Sequence, residues 1–128
     1  MSRILRFEFH ATQPQVLIDF YTAVFGWQFT KVEPGGWWKI HTGPQDGPAI
    51  PGGMQQRPRA ASGGSPSLNA FACTVEVEDL DEALAKSLRM GAVPALPRMA
   101  VPHVGWLAYI KDPDGNLLGL MQLDPRAA

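Results

Sequence analysis

One arrangement of strand, helix, glycine and further strands occurs twice in this chain, and that repeat constrains its fold more than any other feature. In the first copy, Arg6-Phe7-Glu8-Phe9-His10 alternates polar and apolar residues, as does a strand with one face on a core. Thr12 or Gln13 can open a helix with Pro14 in its first turn. Leu17, Phe20, Tyr21 and Val24 recur at three-to-four spacing, and Gly26 ends the run. Strands follow at 27–32 and 37–41 around a Pro34-Gly35-Gly36 turn, with a weaker one over Ala49 to Gln55. In the second copy, Phe71 to Val77 reads as a strand with Cys73, Val75 and Val77 on one side and Ala72, Thr74 and Glu76 on the other. Asp79 and Glu82 form a capping-box pair ahead of the stripe Leu80, Ala83, Leu84, Ser87 and Leu88, and Gly91 closes the helix. A proline-rich connection from Val93 to Pro97, with room for a short strand, leads to Trp106–Ile110. Asp112-Pro113-Asp114-Gly115-Asn116 then turns the chain into Leu117–Gln122.

The two units, about 4–56 and 68–124, flank a stretch at 57–67 with the Gly, Ser and Pro content of a linker. Together, 1–128 reads as a single domain, long enough to bury a core without staples. Thirteen glycines and twelve prolines favour short strands over a helical bundle. A net charge of −1 with both signs dispersed argues against nucleic acid as a partner. The single cysteine, Cys73, fits a reducing compartment, and the alternation assigns it to the helix-facing side as a small buried hydrophobe. The early charges of the N-terminus and the lack of an apolar run near ~20 residues lead us to expect a cytoplasmic protein with no membrane partner.

Four motifs resemble, in order and at matching spacing, those of the glyoxalase/bleomycin resistance/dioxygenase (vicinal oxygen chelate) superfamily. They are Tyr21-Thr22-Ala23-Val24-Phe25-Gly26-Trp27; Val75–Asp81 with Gly91; His103-Val104-Gly105-Trp106; and Asp112–Asn116. The resemblance covers roughly residues 4–124, and its nearest branch is a group of small bacterial proteins related to lactoylglutathione lyase. It implies an α+β fold in which two βαβββ modules form an open eight-stranded barrel around a cavity. It also implies a homodimer, either side by side or with exchanged modules.

The resemblance further implies where a metal would sit. Its ligand positions fall on Arg6, on Ala72, near Gly53–Gln55, and on Gly119, where metal-using members carry a glutamate. Arg, Ala, Gly, Met and Gln do not assemble a hard-metal site, so we expect no metal and no other cofactor. Strand alternation turns Arg6, Glu8 and His10 toward the barrel interior, together with Thr74, Glu76 and Met121. Trp38, Met54 and Trp106 complete the expected lining, the two tryptophans because they hold comparable places in the two modules.

A few polar groups on an apolar lining suit a small organic ligand, and Arg6 suits an anionic one. No catalytic residue is assigned. Glu8, Glu76 and His10 could serve as acid, base or unorthodox metal ligands for a lyase, isomerase or dioxygenase. In the competing structural reading, Arg6 simply neutralises Glu8 or Glu76 in an ion pair. A third reading is a non-catalytic assembly protein whose own side chains close the cavity.

Overall fold

In a computed structural model the described residues are 1–44, 46–57 and 69–128. Apart from Arg57, the expected linker lies outside them. The chain divides into two compact units, Arg6–Phe71 and Ala72–Ala128, the latter joined by Met1–Leu5. Each is a βαβββ module, so the α+β class and the paired-module architecture expected from the sequence are found. Among the described residues, no helix is long and apolar enough to cross a membrane.

The first module contains β1 (Ile4–Ala11, whose first two residues fall with the other unit), α1 (Pro14–Phe25), β2 (Gln28–Val32), β3 (Trp37–His41) and β4 (Gly52–Gln56). Its strands lie in the order β2-β3-β4-β1, with β1 parallel to β4 and the other pairs antiparallel. Phe9, Ala11, Ile40 and Met54 form the buried core on the helix side, joined by Leu17, Ile18 and Tyr21 of α1. Burying a side chain such as Ile40 contributes roughly 2 kcal/mol. The helix face differs from the expected stripe. Leu17 and Tyr21 pack inward, whereas Phe20 and Val24 are exposed beside Val16. Three-to-four spacing fits two adjacent faces of this apolar helix, and only the sheet beneath selects one. Gly26 ends α1 at φ +74°, its N–H donating to the Thr22 carbonyl.

The second module contains β5 (Ala72–Glu76), α2 (Leu80–Arg89), β6 (Val93–Val101), β7 (Gly105–Lys111) and β8 (Leu117–Leu123), ordered β5-β8-β7-β6. Leu80, Ala92, Ala108, Ile110 and Leu120 are its buried helix-side core. Asp79 caps α2 as expected, accepting from the Glu82 N–H at 3.0 Å. The turn after β7 is tied by Asp112, whose carboxylate accepts from the backbone N–H groups of Asp114 and Asn116 and from the Asn116 side chain, each at 2.9 Å. These bonds, that from the Asn116 side chain first, hold its pKa below the usual carboxylate value.

Two expectations are corrected here. The Pro-rich connection is a nine-residue strand, β6, with register shifts between Pro94 and Leu96 and between Leu96 and Met99. It ends this unit's strand order, where a residue without an N–H is tolerated. Cys73 is exposed rather than buried. It lies on the helix side of β5, but α2 packs over β6, β7 and β8 and leaves the start of β5 uncovered.

Candidate functional site

Alternation along β1 places Phe7, Phe9 and Ala11 under α1 and turns Arg6, Glu8 and His10 to the opposite face. Arg6 Nε donates to Glu8 Oε1 at 2.8 Å, and the Glu8 side chain is only 3% exposed. The Arg6 guanidinium also lies over the Trp37 indole, 5.0 Å from the ring centroid. Gly53, opposite Glu8 in register, makes this possible. A Cβ there would stand 2.8 Å from Trp37 Cζ2 and 3.4 Å from Glu8 Cγ. A half-buried guanidinium stacked on an indole and a buried carboxylate hydrogen-bonded to it form a charge-compensated pair on this face.

His10 closes this row and is buried. Arg57 Nη2 donates to the His10 carbonyl at 3.2 Å. Burial first, and the Arg57 charge second, lower the imidazole pKa to about 4. At neutral pH His10 is therefore an uncharged imidazole, able to offer or accept a hydrogen bond but not to supply a ready proton.

On the corresponding face of the second module, Thr74 stands opposite Gly119, which in turn stands opposite Tyr109. A Cβ on Gly119 would lie 2.8 Å from Thr74 Oγ1 and 3.2 Å from Tyr109 Cε1. Thr74 is fully buried, and among the described residues its hydroxyl has no hydrogen-bond partner. Met121 is buried on the same face. Glu76 pairs with Arg3 at 2.9 Å, and both are substantially exposed.

Of the nine residues expected to line one surface, three lie on the other side of their sheets. Trp38 and Met54, paired across β3 and β4, pack with Phe9 in the helix-side core. Trp106 packs against the core under α2, donates from Nε1 to Asp124 Oδ2 at 3.2 Å, and lies under the Arg98 guanidinium. The cause is a one-residue phase error. Trp37-Trp38 is a doublet, and either indole could face inward until β4 sets the register. Trp37, Gln55 and Tyr109 were missed for the same reason. His41 and His103 are exposed.

The metal-ligand positions implied by the sequence resemblance do not fit a metal. Arg6 is a paired cation, Ala72 and Gly53 have no donor side chain, Met54 is in the core, and Gly119 is walled in by Thr74 and Tyr109. Among the described residues, no three His, Cys, Asp or Glu side chains converge.

Comparison with known proteins fits this architecture. Residues 6–121 match the family model of the glyoxalase-like domain. The glyoxylase candidate CFP32 of Mycobacterium tuberculosis, like its Mycobacterium bovis counterpart, is 27% identical over 116 residues. Those residues are 90% of this chain and 43% of the mycobacterial one, so the chain spans less than half the length of these relatives. A glyoxalase/bleomycin resistance protein/dioxygenase superfamily member from Vibrio splendidus superposes with a TM-score of 0.55 at 16% identity, covering 95% of this chain and 99% of that one. The Mn(II)-bound glyoxalase from Novosphingobium aromaticivorans gives 0.56 at 14% identity, covering 100% of this chain and 42% of its own. Methylmalonyl-CoA epimerase from M. tuberculosis gives 0.56 at 17%, covering 95% and 88%. At such identities the structural likeness establishes the fold alone. With its family model matched over nearly its full length, the chain belongs to the glyoxalase-like domain family.

Proposed function

We propose that this protein holds a small organic molecule, without the metal used by its chelating relatives, on the sheet face of the first module turned away from α1. Arg6, Glu8 and His10 supply the polar contacts in the first module, and Thr74, Glu76 and Met121 line the corresponding face of the second. The observation that carries the metal-free part is the wall around Gly119: the space of a side chain at that position is taken by the Thr74 hydroxyl and the Tyr109 ring. An anionic or strongly polar ligand suits this surface, because Arg6 is oriented by Glu8 and Trp37 before anything binds.

A second reading has a specific observation in its favour. Glu8, Thr74, Met121 and Trp37 are all nearly inaccessible, as they would be in a non-catalytic protein whose own side chains close these faces. Thermal melting of chelator-stripped protein with and without Ni²⁺, Zn²⁺, Mn²⁺ and Fe²⁺, alongside elemental analysis, tests the first part. Stoichiometric metal with a clear rise in melting temperature would overturn it. A screen of small organic anions by the same readout separates the two readings: a rise that is lost in Arg6→Ala supports binding, and no rise with any compound supports the closed protein.

A further inference from the structure

We propose a second binding site, for a planar aromatic carboxylate, in the groove beside α1 of the first module, on the other side of β1 from Arg6 and Glu8. The groove has a volume of about 450 Å³, within the range of small-molecule sites. Its floor is aromatic and aliphatic, with Phe9, Leu17 and Tyr21 packed together, and Phe71 forms a wall.

Phe71 is the unusual element. Its ring stacks on Phe9 with centroids 4.7 Å apart and planes 20° from parallel, yet the residue is 55% exposed. The same ring stacks on Phe7 at 5.6 Å and meets Tyr21 edge-on at 6.3 Å, so its exposed remainder extends an aromatic cluster on which a further flat group can pack, a contact that adds to simple area burial. The rim sets the charge. Among the described residues of the lining, Arg57 is a cation and none is an Asp or Glu. Its guanidinium is held in orientation by Nε donating to Thr12 Oγ1 at 2.9 Å and Nη2 to the His10 carbonyl at 3.2 Å. Its backbone N–H is anchored on the Ala11 carbonyl. Aromatic surface below a fixed guanidinium selects a flat ring bearing an anion.

The test is isothermal titration of the full chain with 2-naphthoate, 2-naphthamide and cyclohexanecarboxylate. Naphthoate should bind at least about 10-fold more tightly than either comparator, since the amide lacks the charge and the cyclohexane ring cannot stack. Phe71→Ala should weaken naphthoate about 10-fold, with circular dichroism and melting temperature checked because the ring also packs on the core residue Phe9. Arg57→Gln should bring naphthoate and naphthamide to similar affinity, Arg57→Lys should restore part of the difference, and Arg98→Gln in the second module should change nothing. Absence of saturable naphthoate binding overturns the site, as does equal affinity for the amide or no response to Phe71→Ala. Weakening by Arg6→Ala with Phe71→Ala silent also overturns it, and would instead support the surface proposed above.

Discussion

The two modules share one topology but differ in what fills the sheet face turned away from the helix. In the first, the face is ionic: Arg6 and Glu8 neutralise each other under Trp37, and Gly53 makes the room. In the second it is close-packed, with Thr74 and Tyr109 meeting around Gly119 and Met121 buried on the same face. A glycine stands at the centre of each face, yet one admits an indole against a carboxylate stem and the other a hydroxyl against a ring. A repeated fold therefore fixes where side chains point, while their chemistry is set module by module.

The contrast breaks most visibly at Gly119. Restoring the family's carboxylate with Gly119→Glu should cost on the order of 3–5 kcal/mol, because the side chain must displace Thr74 and Tyr109 and bury an unpaired charge. Urea unfolding measures this, and a stable variant that takes up metal would show that the second module has room for a carboxylate ligand at that position. Next comes the buried pair. Glu8→Gln leaves Arg6 without its carboxylate and should cost about 2–4 kcal/mol. Glu76→Gln, which breaks the exposed pair with Arg3, should stay within about 0.5 kcal/mol. Equal losses at the two positions would remove the distinction drawn between the two ion pairs.

A third measurement sharpens the comparison through pH. The unfolded chain protonates His10 near its ordinary value of 6.5, and the folded chain resists until about 4. The stability linked to His10 is therefore full above pH 6.5 and declines as pH falls toward 4, by up to about 3 kcal/mol. Denaturation between pH 4 and 7 should show this slope, and His10→Gln should flatten it. An unchanged slope in the variant would assign the acid sensitivity to other groups.

Modest effects of opposite sign concern the helices. Asp79 caps α2 with its side chain, whereas Gln13 makes no side-chain cap for α1. Asp79→Ala should cost about 1 kcal/mol, and Gln13→Ser should stabilise by roughly 0.5–1 kcal/mol. Thermal melts of the two variants would separate these opposite signs.

What could be read from the sequence was local. The Asp112–Asn116 turn, the Asp79 cap and the Gly26 helix end each depend on residues within five positions, and the structure contains all three. Facing was harder, because it is settled across strands. Nothing in Trp37-Trp38 says which indole meets Arg6 until Gln55 and Met54 are set opposite them. The burial of His10 beside Arg57 joins positions 47 residues apart. Gly119 was legible as a missing carboxylate, but the hydroxyl and ring that occupy its surroundings were not. β6 was hidden by its own prolines, which lower strand propensity while remaining compatible with the end of a sheet.

Those same prolines bear on behaviour at high concentration. An outer strand with regular unpaired N–H and C=O groups invites another chain to add to it, the first step toward fibrous aggregates. β6 has no N–H at Pro94 or Pro97, and its pairing with β7 shifts register twice. A neighbouring strand would find neither a continuous row of donors nor a straight backbone to follow. This flank of the second module is thus guarded against open-ended assembly.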